Sequence, residues 1–211
     1  YSLMKKTKRS KKSRSWVIKQ HRDQFFKKSK TLGYRSRSAF KLIELNKKFK
    51  FLKKNTNLLD IGSSPGGWSQ VSRKSIANGK VVALDIIEMK AIENVSFFKC
   101  DFLGDKTKEI ILNFFKGKFD VIISDMAANT TGNKNLDCIR TNQLCLEVIN
   151  FSLSVLKPKG VVVSKLFMGE DFLMVKKIAK EKFKKVEFFK PESSRGESKE
   201  TYVHCALLKS L

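Results

Sequence analysis

The sequence predicts an α/β protein built on a doubly wound, mostly parallel sheet of seven strands. Short apolar segments of strand length alternate with helical segments along most of the chain, and this alternation is typical of a parallel sheet covered by helices. The first strand leads into a glycine-rich turn and then a helix, and the fourth is a near-continuous apolar run, as in buried parallel strands. The seventh strand is expected to be antiparallel, as a hairpin partner of the sixth.

Two helices are predicted before the first strand. One begins near His21 or Arg22 and ends at Gly33. The second can be capped by Ser36 or Ser38. Its apolar face is formed by four residues, Phe40, Leu42, Ile43 and Phe49.

The remaining elements follow from apolar runs and from stop signals such as Asn78-Gly79 and Lys157-Pro158-Lys159-Gly160. The predicted strands cover residues 58–61, 81–85, 95–98, 119–124, 161–163, 185–189 and 201–208. The predicted helices between them cover residues 68–77, 105–115, 136–156 and 170–182.

The length of 211 residues suits one α/β core, and a hydrophobic content of 41% is sufficient to fill it. No internal repeat and no shift in composition marks a second domain. We therefore expect a basic N-terminal arm over residues 1–20 and a single domain over residues 21–211.

The segment from Asn57 to Gln70 reads NLLDIGSSPGGWSQ and predicts a cofactor site. A buried strand, a glycine-rich turn and a helix N-terminus in that order present backbone N–H groups to a ligand. The glycines match neither G-x-G-x-x-G nor a P-loop. Asp85 ends the next strand, where an acid can bind ribose hydroxyls. The alternative is an ordinary turn whose glycines serve packing.

The charge balance indicates a polyanionic partner. The chain carries 44 Lys and Arg against 20 Asp and Glu, a net charge of +24. A lysine-rich composition from an AT-rich genome accounts for part of this excess, but it does not account for the scarcity of acids. Nucleic acid is favoured over a membrane, because the sequence has no membrane-spanning apolar run and no clear basic helix with a large apolar face.

The cysteines indicate reduced, buried thiols in a reducing compartment, which predicts a cytoplasmic protein. No C-x-x-C spacing occurs, and only two histidines are present, so no metal site is expected. The four cysteines are Cys100, Cys138, Cys145 and Cys205. A mitochondrial transit peptide stays open as an alternative, because the first 20 residues are basic, contain serine and have no acid.

Charged residues follow the fourth and fifth strands of the predicted sheet. Asp125 ends the fourth, and Lys165 falls at the carboxyl end of the fifth. In the common strand order 3-2-1-4-5 these ends and the glycine turn line one crevice. A lysine after Val-Val-Val-Ser needs a partner, and Asp125 is available. The pair can serve catalysis, or it can be a structural ion pair.

Together these segments resemble the FtsJ-type (RrmJ-like) ribosomal RNA 2′-O-ribose methyltransferases, a Rossmann-like family that uses S-adenosyl-L-methionine. The resemblance extends from about residue 34 to residue 209. The matching segments are YRSRSAFKL at 34–42, LDIGSSPGGWSQV at 59–71, SDMAAN at 124–129, KLFMGE at 165–170 and KPESSRGESKETYV at 190–203. Many relatives have proline after the first alanine of SDMAAN, where this chain has a second alanine.

The resemblance implies a catalytic tetrad of Lys41, Asp125, Lys165 and Glu200, with Lys165 as the proton acceptor. Lysine is a base only when neutral, a form that burial and a nearby positive charge favour. The alternative is that Lys165 only orients the hydroxyl, and solvent takes the proton.

The resemblance also assigns the cofactor contacts. It implies Gly66 and Trp68 at the methionine end, Asp85 at the ribose, Asp101 at the adenine, and Asp125 near the transferred methyl group.

The implied substrate is a uridine in large-subunit ribosomal RNA, bound within the ribosomal particle by a monomeric protein. Transfer RNA or another RNA is an alternative substrate. A catalytically silent RNA-binding assembly factor is an alternative function. The basic residues expected to contact RNA are the N-terminal arm, Arg35, Arg37, Lys41, Lys134, Arg140 and Arg195. Phe167 and Tyr202 are expected to stack on an unpaired base, or to pack in the core.

Overall fold

The computed structural model describes residues 23–209 apart from the side chain of Asp105. The predicted N-terminal arm and the predicted helix start at His21 or Arg22 lie outside these residues. The helices are α1 Gln24–Thr31, α2 Ser38–Phe49, α3 Gly67–Ser75, α4 Asp105–Phe114, α5 Lys134–Val155 and α6 Phe172–Lys182. The strands are β1 Leu58–Ile61, β2 Val81–Asp85, β3 Val95–Lys99, β4 Phe119–Ser124, β5 Leu156–Phe167, β6 Phe183–Phe189 and β7 Glu200–Leu208.

The strands form one sheet in the order β3-β2-β1-β4-β5-β7-β6. β1 to β5 are parallel, and β7 is inserted between β5 and β6 and runs antiparallel to both. This confirms the predicted seven-stranded, mostly parallel sheet and its antiparallel seventh strand. Because the parallel strands share a direction, their carboxyl ends meet at one edge, and that edge holds the candidate site.

The sheet is buried on both faces, which explains the apolar runs of its central strands. Leu59 and Ile122 point to one face and pack in a cluster with Ile149 of α5. Leu58 belongs to a second cluster, which contains Leu42 of α2. The helices therefore hold the central strands from both sides and fix the positions of their ends.

Strand β5 is longer than predicted. It begins at Leu156 and includes Lys157 to Gly160, the segment that the sequence predicted as a helix stop and a turn. Leu156 pairs with Phe119, and the register with β4 then shifts before Val161 pairs with Val121. Pairing across the sheet, which local sequence does not reveal, keeps this segment extended.

Helix α2 also differs from its prediction. Neither Ser36 nor Ser38 caps it; their hydroxyls lie 2.6 Å apart and bond to each other, and the N-cap residue is Arg37. Ile43 was predicted on the apolar face but is 36% exposed, because Leu45 takes the inward position after Leu42.

The four cysteines are free thiols. Three of them are buried, and Cys100 is only half-buried, so the prediction of buried thiols is wrong at that position. Burial raises the pKa of Cys145 to about 12, so its thiol is unreactive at neutral pH. Within residues 23–209, no helix is long and apolar enough to cross a membrane.

Candidate active site

The glycine-rich turn between β1 and α3 lies tightly against its neighbours. The N–H groups of Gly62 and Ser63 donate to the carbonyl of Leu84, at 2.9 and 3.1 Å. Gly62 has a φ of +75°, and a Cβ atom there would lie 2.2 Å from Cγ of Met126. Only glycine fits this position, because a side chain would collide with the loop that follows β4.

Arg35 holds the turn from the outside. Its guanidinium donates to the carbonyls of Pro65, Lys90 and Ala91, at 3.3, 2.6 and 2.8 Å. Its backbone N–H donates to Oε1 of Gln70 in α3. The predicted RNA contact of Arg35 is not supported, since its guanidinium binds backbone within the protein.

A cavity of about 390 Å³ opens beside the turn, at the carboxyl ends of β1 to β4. Its polar lining includes Gly62, Ser64, Asp85, Asp101 and Asp125. This volume lies within the range of small-molecule sites. The predicted cofactor acids Asp85, Asp101 and Asp125 therefore come together around one cavity.

The carboxylates of Asp85 and Asp101 are fixed by local backbone. Asp85 accepts from the N–H of Ser64 at 2.9 Å and from the N–H of Ile87 at 2.8 Å, one bond to each oxygen. Asp101 accepts from the N–H of Leu103 at 2.9 Å. A carboxylate has about four acceptor sites, so Asp85 keeps lone pairs for a ligand hydroxyl.

The cavity fits the nucleoside part of S-adenosylmethionine. Apolar side chains of Leu84, Ile86, Phe102 and Leu103 line it together with the acids. Ile86 and Leu103 are 61% and 52% exposed, so a flat base can pack against them. An apolar slot with an acid at the end of β2 suits a base and its ribose.

Gly66 and Trp68 do not line this cavity. Gly66 is the N-cap residue of α3, with a φ of +109°. The indole of Trp68 is 2% exposed, and its Nε1 donates to the carbonyl of Ser38 at 2.8 Å. The predicted contact of Trp68 with the cofactor would therefore come from its backbone N–H, in the first turn of α3, where N–H groups have no intrahelical acceptor.

Lys165 and Asp125 form an ion pair at the edge of the cavity. Nζ of Lys165 lies 3.1 Å from Oδ1 of Asp125 and 2.6 Å from its backbone oxygen. The side chains are 8% and 18% exposed. Lys165 lies inside β5, opposite Tyr202 and two residues before the strand end at Phe167, and not at the end as predicted.

Tyr202 completes the environment of Asp125. Its hydroxyl donates to Oδ1 of Asp125 at 2.6 Å, and the residue is fully buried. Of the two alternatives that the sequence left for Tyr202, stacking on an RNA base is therefore wrong and packing in the core is confirmed. Burial, reinforced by the negative charges of Asp125 and Glu200, raises the pKa of Tyr202 well above its usual value, so it remains a donor.

Asp125 is ionised despite its burial. Desolvation alone would raise the pKa of Asp125, but the positive charges of Lys165 and Lys41 and the hydrogen bonds from Tyr202 and Lys165 lower it below its ordinary value. The site thus contains a carboxylate that is held negative by two lysines from different elements.

Lys41 and Glu200 form the second ion pair. Nζ of Lys41, from α2, lies 2.7 and 2.8 Å from the two carboxylate oxygens of Glu200, the first residue of β7. Ser194 also donates to Glu200, at 2.7 Å. Nζ of Lys41 lies 6.0 Å from the centre of the Tyr202 ring. The four predicted tetrad residues therefore form two ion pairs on either side of Tyr202.

Arg37 and Glu44 hold the loop that precedes β7. Arg37 pairs with the carboxylate of Asp23 and donates to the carbonyl of Ser193. Glu44 accepts from the N–H groups of Glu192 and Ser193, at 2.6 and 3.0 Å. The guanidinium of Arg37 is thus engaged within the protein, and its predicted RNA contact stays a prediction.

Other residues predicted to contact RNA are accessible. Lys134, Arg140 and Arg195 are exposed, and Phe167 is half-buried. A hollow of about 240 Å³ beside the second ion pair is lined by Arg37, Lys41, Arg195, Ser198 and Glu200. Among the residues that the structure describes, no three His, Cys, Asp or Glu side chains are grouped as metal ligands.

Sequence reasoning missed two supporting groups of this site. It left Tyr202 open between RNA stacking and core packing, and it gave Ser194 no role. Side chains two apart in a strand share a face, so Tyr202 could have been placed beside Glu200. The contact of Ser194 depends on a loop fold, and no sequence signal indicated it.

Comparison with known proteins agrees with this geometry. The sequence model described as FtsJ-like methyltransferase matches residues 34–207. The chain is 44% identical over 197 residues to the Ribosomal RNA large subunit methyltransferase E of Pelagibacter ubique (strain HTCC1062), which covers 93% of this chain and 97% of that protein. It is 42% identical over 204 residues to the protein of the same name from Rickettsia felis, covering 93% and 89%.

A solved structure supports the same grouping. A chain described as a ribosomal RNA methyltransferase from Plasmodium falciparum superposes with a TM-score of 0.76 at 33% identity. The alignment covers 83% of this chain and 98% of that one.

Proposed function

Because this chain belongs to the FtsJ-like methyltransferase family, we propose that it methylates a ribose 2′-hydroxyl in large-subunit ribosomal RNA. The observation that carries the proposal is the Lys165–Asp125 ion pair, since Asp125 also lines the cofactor cavity. A lysine at the edge of that cavity can contact a ribose hydroxyl that lies beside the methyl donor. The names of the curated relatives support ribosomal RNA as the substrate.

S-adenosylmethionine is the cofactor, and when bound it supplies an electrophilic methyl group. Asp85 would hold its ribose hydroxyls, and Asp101 would hold its adenine. The N–H groups in the first turn of α3, including that of Trp68, would hold the methionine end, after the turn at Gly66.

Lys165 acts as the proton acceptor in this proposal. A 2′-hydroxyl is a poor nucleophile, so it must be oriented and must lose its proton. Lys165 donates to two oxygens of Asp125. Lys165 is the cation of the ion pair, so it must release a proton before it can accept one; the neutral amine then has two N–H bonds for the two oxygens of Asp125 and one lone pair for the substrate hydroxyl.

The second pair supports this role electrostatically. Glu200 holds Lys41 in place with both carboxylate oxygens, and the positive charge of Lys41 helps to keep Asp125 ionised beside Lys165. Tyr202 orients Asp125 through its hydroxyl. The basic hollow beside Glu200 is the entry that we propose for the RNA strand.

We extend the proposal to the cellular setting of the reaction. The substrate nucleotide is a uridine within the large ribosomal particle, and the protein acts as a cytoplasmic monomer. The free cysteines agree with a reducing compartment.

Methyl transfer from labelled S-adenosylmethionine tests the function. The acceptors are large ribosomal subunits that lack the modification, naked ribosomal RNA and transfer RNA. We expect label in the subunit, recovered as 2′-O-methyluridine after digestion to nucleosides. Label in a base would contradict the reaction, and label only in transfer RNA would contradict the substrate. Tight binding without turnover on any RNA would indicate an assembly factor.

Replacement of Lys165 by arginine tests the proton acceptor. Arginine keeps the positive charge but cannot be neutral, so we expect kcat to fall by roughly 10²-fold or more. The rate of the variant should not increase with pH in the way that deprotonation of a base makes the wild-type rate increase. Lys157→Arg is the matched control, since Lys157 pairs with Asp120 at 2.7 Å in the same strand. Near wild-type activity of Lys165→Arg would leave Lys165 only an orienting role.

A further inference from the structure

A wide basic basin lies at the amino-end edge of the sheet, opposite the candidate active site. It has a volume of about 1000 Å³ and extends between the start of β1, the start of β4 and the end of β7. Six lysines line it, four of them from residues 48–54 and one each from β5 and β6. They are Lys48, Lys50, Lys53, Lys54, Lys159 and Lys185.

The charge of this basin is not neutralised by the protein. Its lining contains two carboxylates, Asp120 and Glu187, and Asp120 is already paired with Lys157 at 2.7 Å. Within residues 23–209, none of the six lysines has a carboxylate within ion-pair distance. At the active-site edge, by contrast, Lys41 and Lys165 are both paired.

Aromatic and imidazole groups line the same basin. His204 and Phe49 stack in parallel, with ring centres 4.1 Å apart and an interplanar angle of 3°. His204 is only 6% exposed, and among the described residues its Nδ1 atom has no hydrogen-bond partner. Because this nitrogen is enclosed, it is not available to a ligand; the stacked rings form a wall of the basin, and the lysines are the groups open to an anion.

We propose that this basin binds phosphates of the RNA backbone, as a second contact for the RNA whose ribose is methylated. The ligand identity rests on the proposed function, since the RNA is the same molecule. Unpaired lysines bind phosphates as point charges and without sequence preference. The basin exceeds the size of a single small anion, and its six cations come from three segments, residues 48–54, β5 and β6. A length of nucleic acid satisfies both features.

The geometry sets a minimum length for this RNA. Lys159 at the basin and Lys165 at the active site are six residues apart in β5, or about 20 Å along the strand. At about 3.4 Å of rise per nucleotide, a single strand of RNA needs about six nucleotides to cover that distance. The basin therefore contacts RNA outside the nucleotide that is modified, and it contributes affinity but not the choice of nucleotide.

A triple variant, Lys53→Gln with Lys54→Gln and Lys159→Gln, tests the proposal. Its matched control is Lys106→Gln with Lys177→Gln and Lys180→Gln, which removes the same charge from exposed lysines outside the basin. Binding is measured by fluorescence anisotropy over a range of salt, with a labelled single-stranded RNA of about 20 nucleotides. Methyl transfer to large ribosomal subunits gives kcat and KM.

For the basin variant we expect an affinity roughly tenfold lower or more, and a salt dependence of log affinity that is less steep by about 2. KM for the subunit should rise while kcat is retained. Equal binding by the basin and control variants would overturn the proposal. Loss of binding to anionic phospholipid vesicles, with RNA binding retained, would also overturn it in favour of a membrane surface.

Two further measurements distinguish failure of the basin proposal from failure of the proposed function and from misfolding of the variant. If wild-type protein binds the RNA through the basin but methylates no ribosomal RNA, the proposed function fails and the basin stands. Thermal unfolding checks that the triple variant is folded. If it is not, Lys53→Gln with Lys159→Gln replaces it, and a salt dependence equal to that of wild type would then overturn the proposal.

Discussion

At the scale of single residues, one buried hydroxyl links the two ion pairs of the site. Tyr202 donates to Asp125, and the negative charge of Glu200 lies close enough to help raise its pKa. The pairing of Lys165 with Asp125 could be predicted from the sequence because a buried charge needs a partner, whereas Lys41 and Glu200 were indicated only by the family resemblance. The role of Tyr202 could not be assigned from the sequence, because an aromatic residue can either pack in the core or stack on an RNA base.

Asp60 gives a prediction on pH and stability. It is buried in β1, where burial raises its pKa to about 7, and the charges of Asp125 and Asp85 add to the effect against a hydrogen bond from Ser69. The usual pKa of an unfolded Asp is about 3.9. Between about pH 4 and pH 7 the folded protein retains a proton that the unfolded chain has lost, so stability falls as pH rises, by roughly 1.4 kcal/mol per unit.

The Asp60→Asn variant should remove this contribution. We expect its free energy of unfolding in urea to fall less steeply with rising pH between about 4 and 7 than that of wild type. Above neutral pH the variant should be at least as stable, because it buries no charge there. Parallel curves for the two proteins over this window would contradict a protonated Asp60.

At the scale of elements, helix α3 is held by an arginine at each end. Arg35 binds the carbonyls of Pro65, Lys90 and Ala91 around the cofactor turn. Arg73 binds those of Ile76, Ala77 and Gly79 behind the helix. The two contacts are chemically alike, but only the first adjoins the cofactor cavity.

Substitution of each arginine by glutamine should separate stability from cofactor binding. Both variants lose charge-assisted hydrogen bonds, so we expect each to lower the unfolding free energy by about 1.5–3 kcal/mol. Only Arg35→Gln should also weaken S-adenosylmethionine binding, by roughly tenfold, because the turn loses its support. Isothermal titration and thermal unfolding measure the two effects. Equal cofactor affinities in both variants would refute a role for Arg35 in shaping the turn.

The elements show where local sequence is informative. The glycine turn and β4 could be predicted, because close approach requires Gly62 and a buried parallel strand requires an apolar run. The first third of β5 could not, because Pro158 and Gly160 are typical of a turn. They remain extended through pairing with β4 after a register shift, which is a long-range effect.

At the scale of the whole molecule, the positive charge is arranged differently at the two edges of the sheet. Lys41 and Lys165, at the carboxyl ends of the strands, are paired with acids, whereas no lysine of the basin has a carboxylate within ion-pair distance among residues 23–209. A net charge of +24 would act against a compact fold if it were not offset by an anionic partner. The composition predicted a polyanionic partner. The positions of the charges at the two ends of the strands became visible only in the fold.

We propose that residues 21–211 form a single domain and that residues 1–20 serve as an RNA-binding arm. The arm carries eight Lys and Arg and no acid. Deletion of residues 1–20 should leave the unfolding temperature nearly unchanged, because both hydrophobic clusters lie within residues 23–209. RNA affinity should fall, with a weaker salt dependence. The control is a variant in which a neutral Gly/Ser segment of equal length replaces residues 1–20, so that only the charge is removed. A large drop in the unfolding temperature of the deletion variant would contradict the proposed boundary.

The insertion of β7 between β5 and β6 has a consequence for incomplete chains. Among the residues that the structure describes, β6 bonds to the sheet only through β7, and β7 also carries Glu200, Tyr202 and His204. A premature stop between residues 190 and 199 would leave the cofactor turn and β6 in the chain but would remove the strand with which β6 pairs. Such a fragment would keep the residues of the cofactor cavity, but its sheet would have an unpaired edge strand that is prone to aggregation. It would also lack part of the proposed active site and part of the proposed phosphate-binding basin.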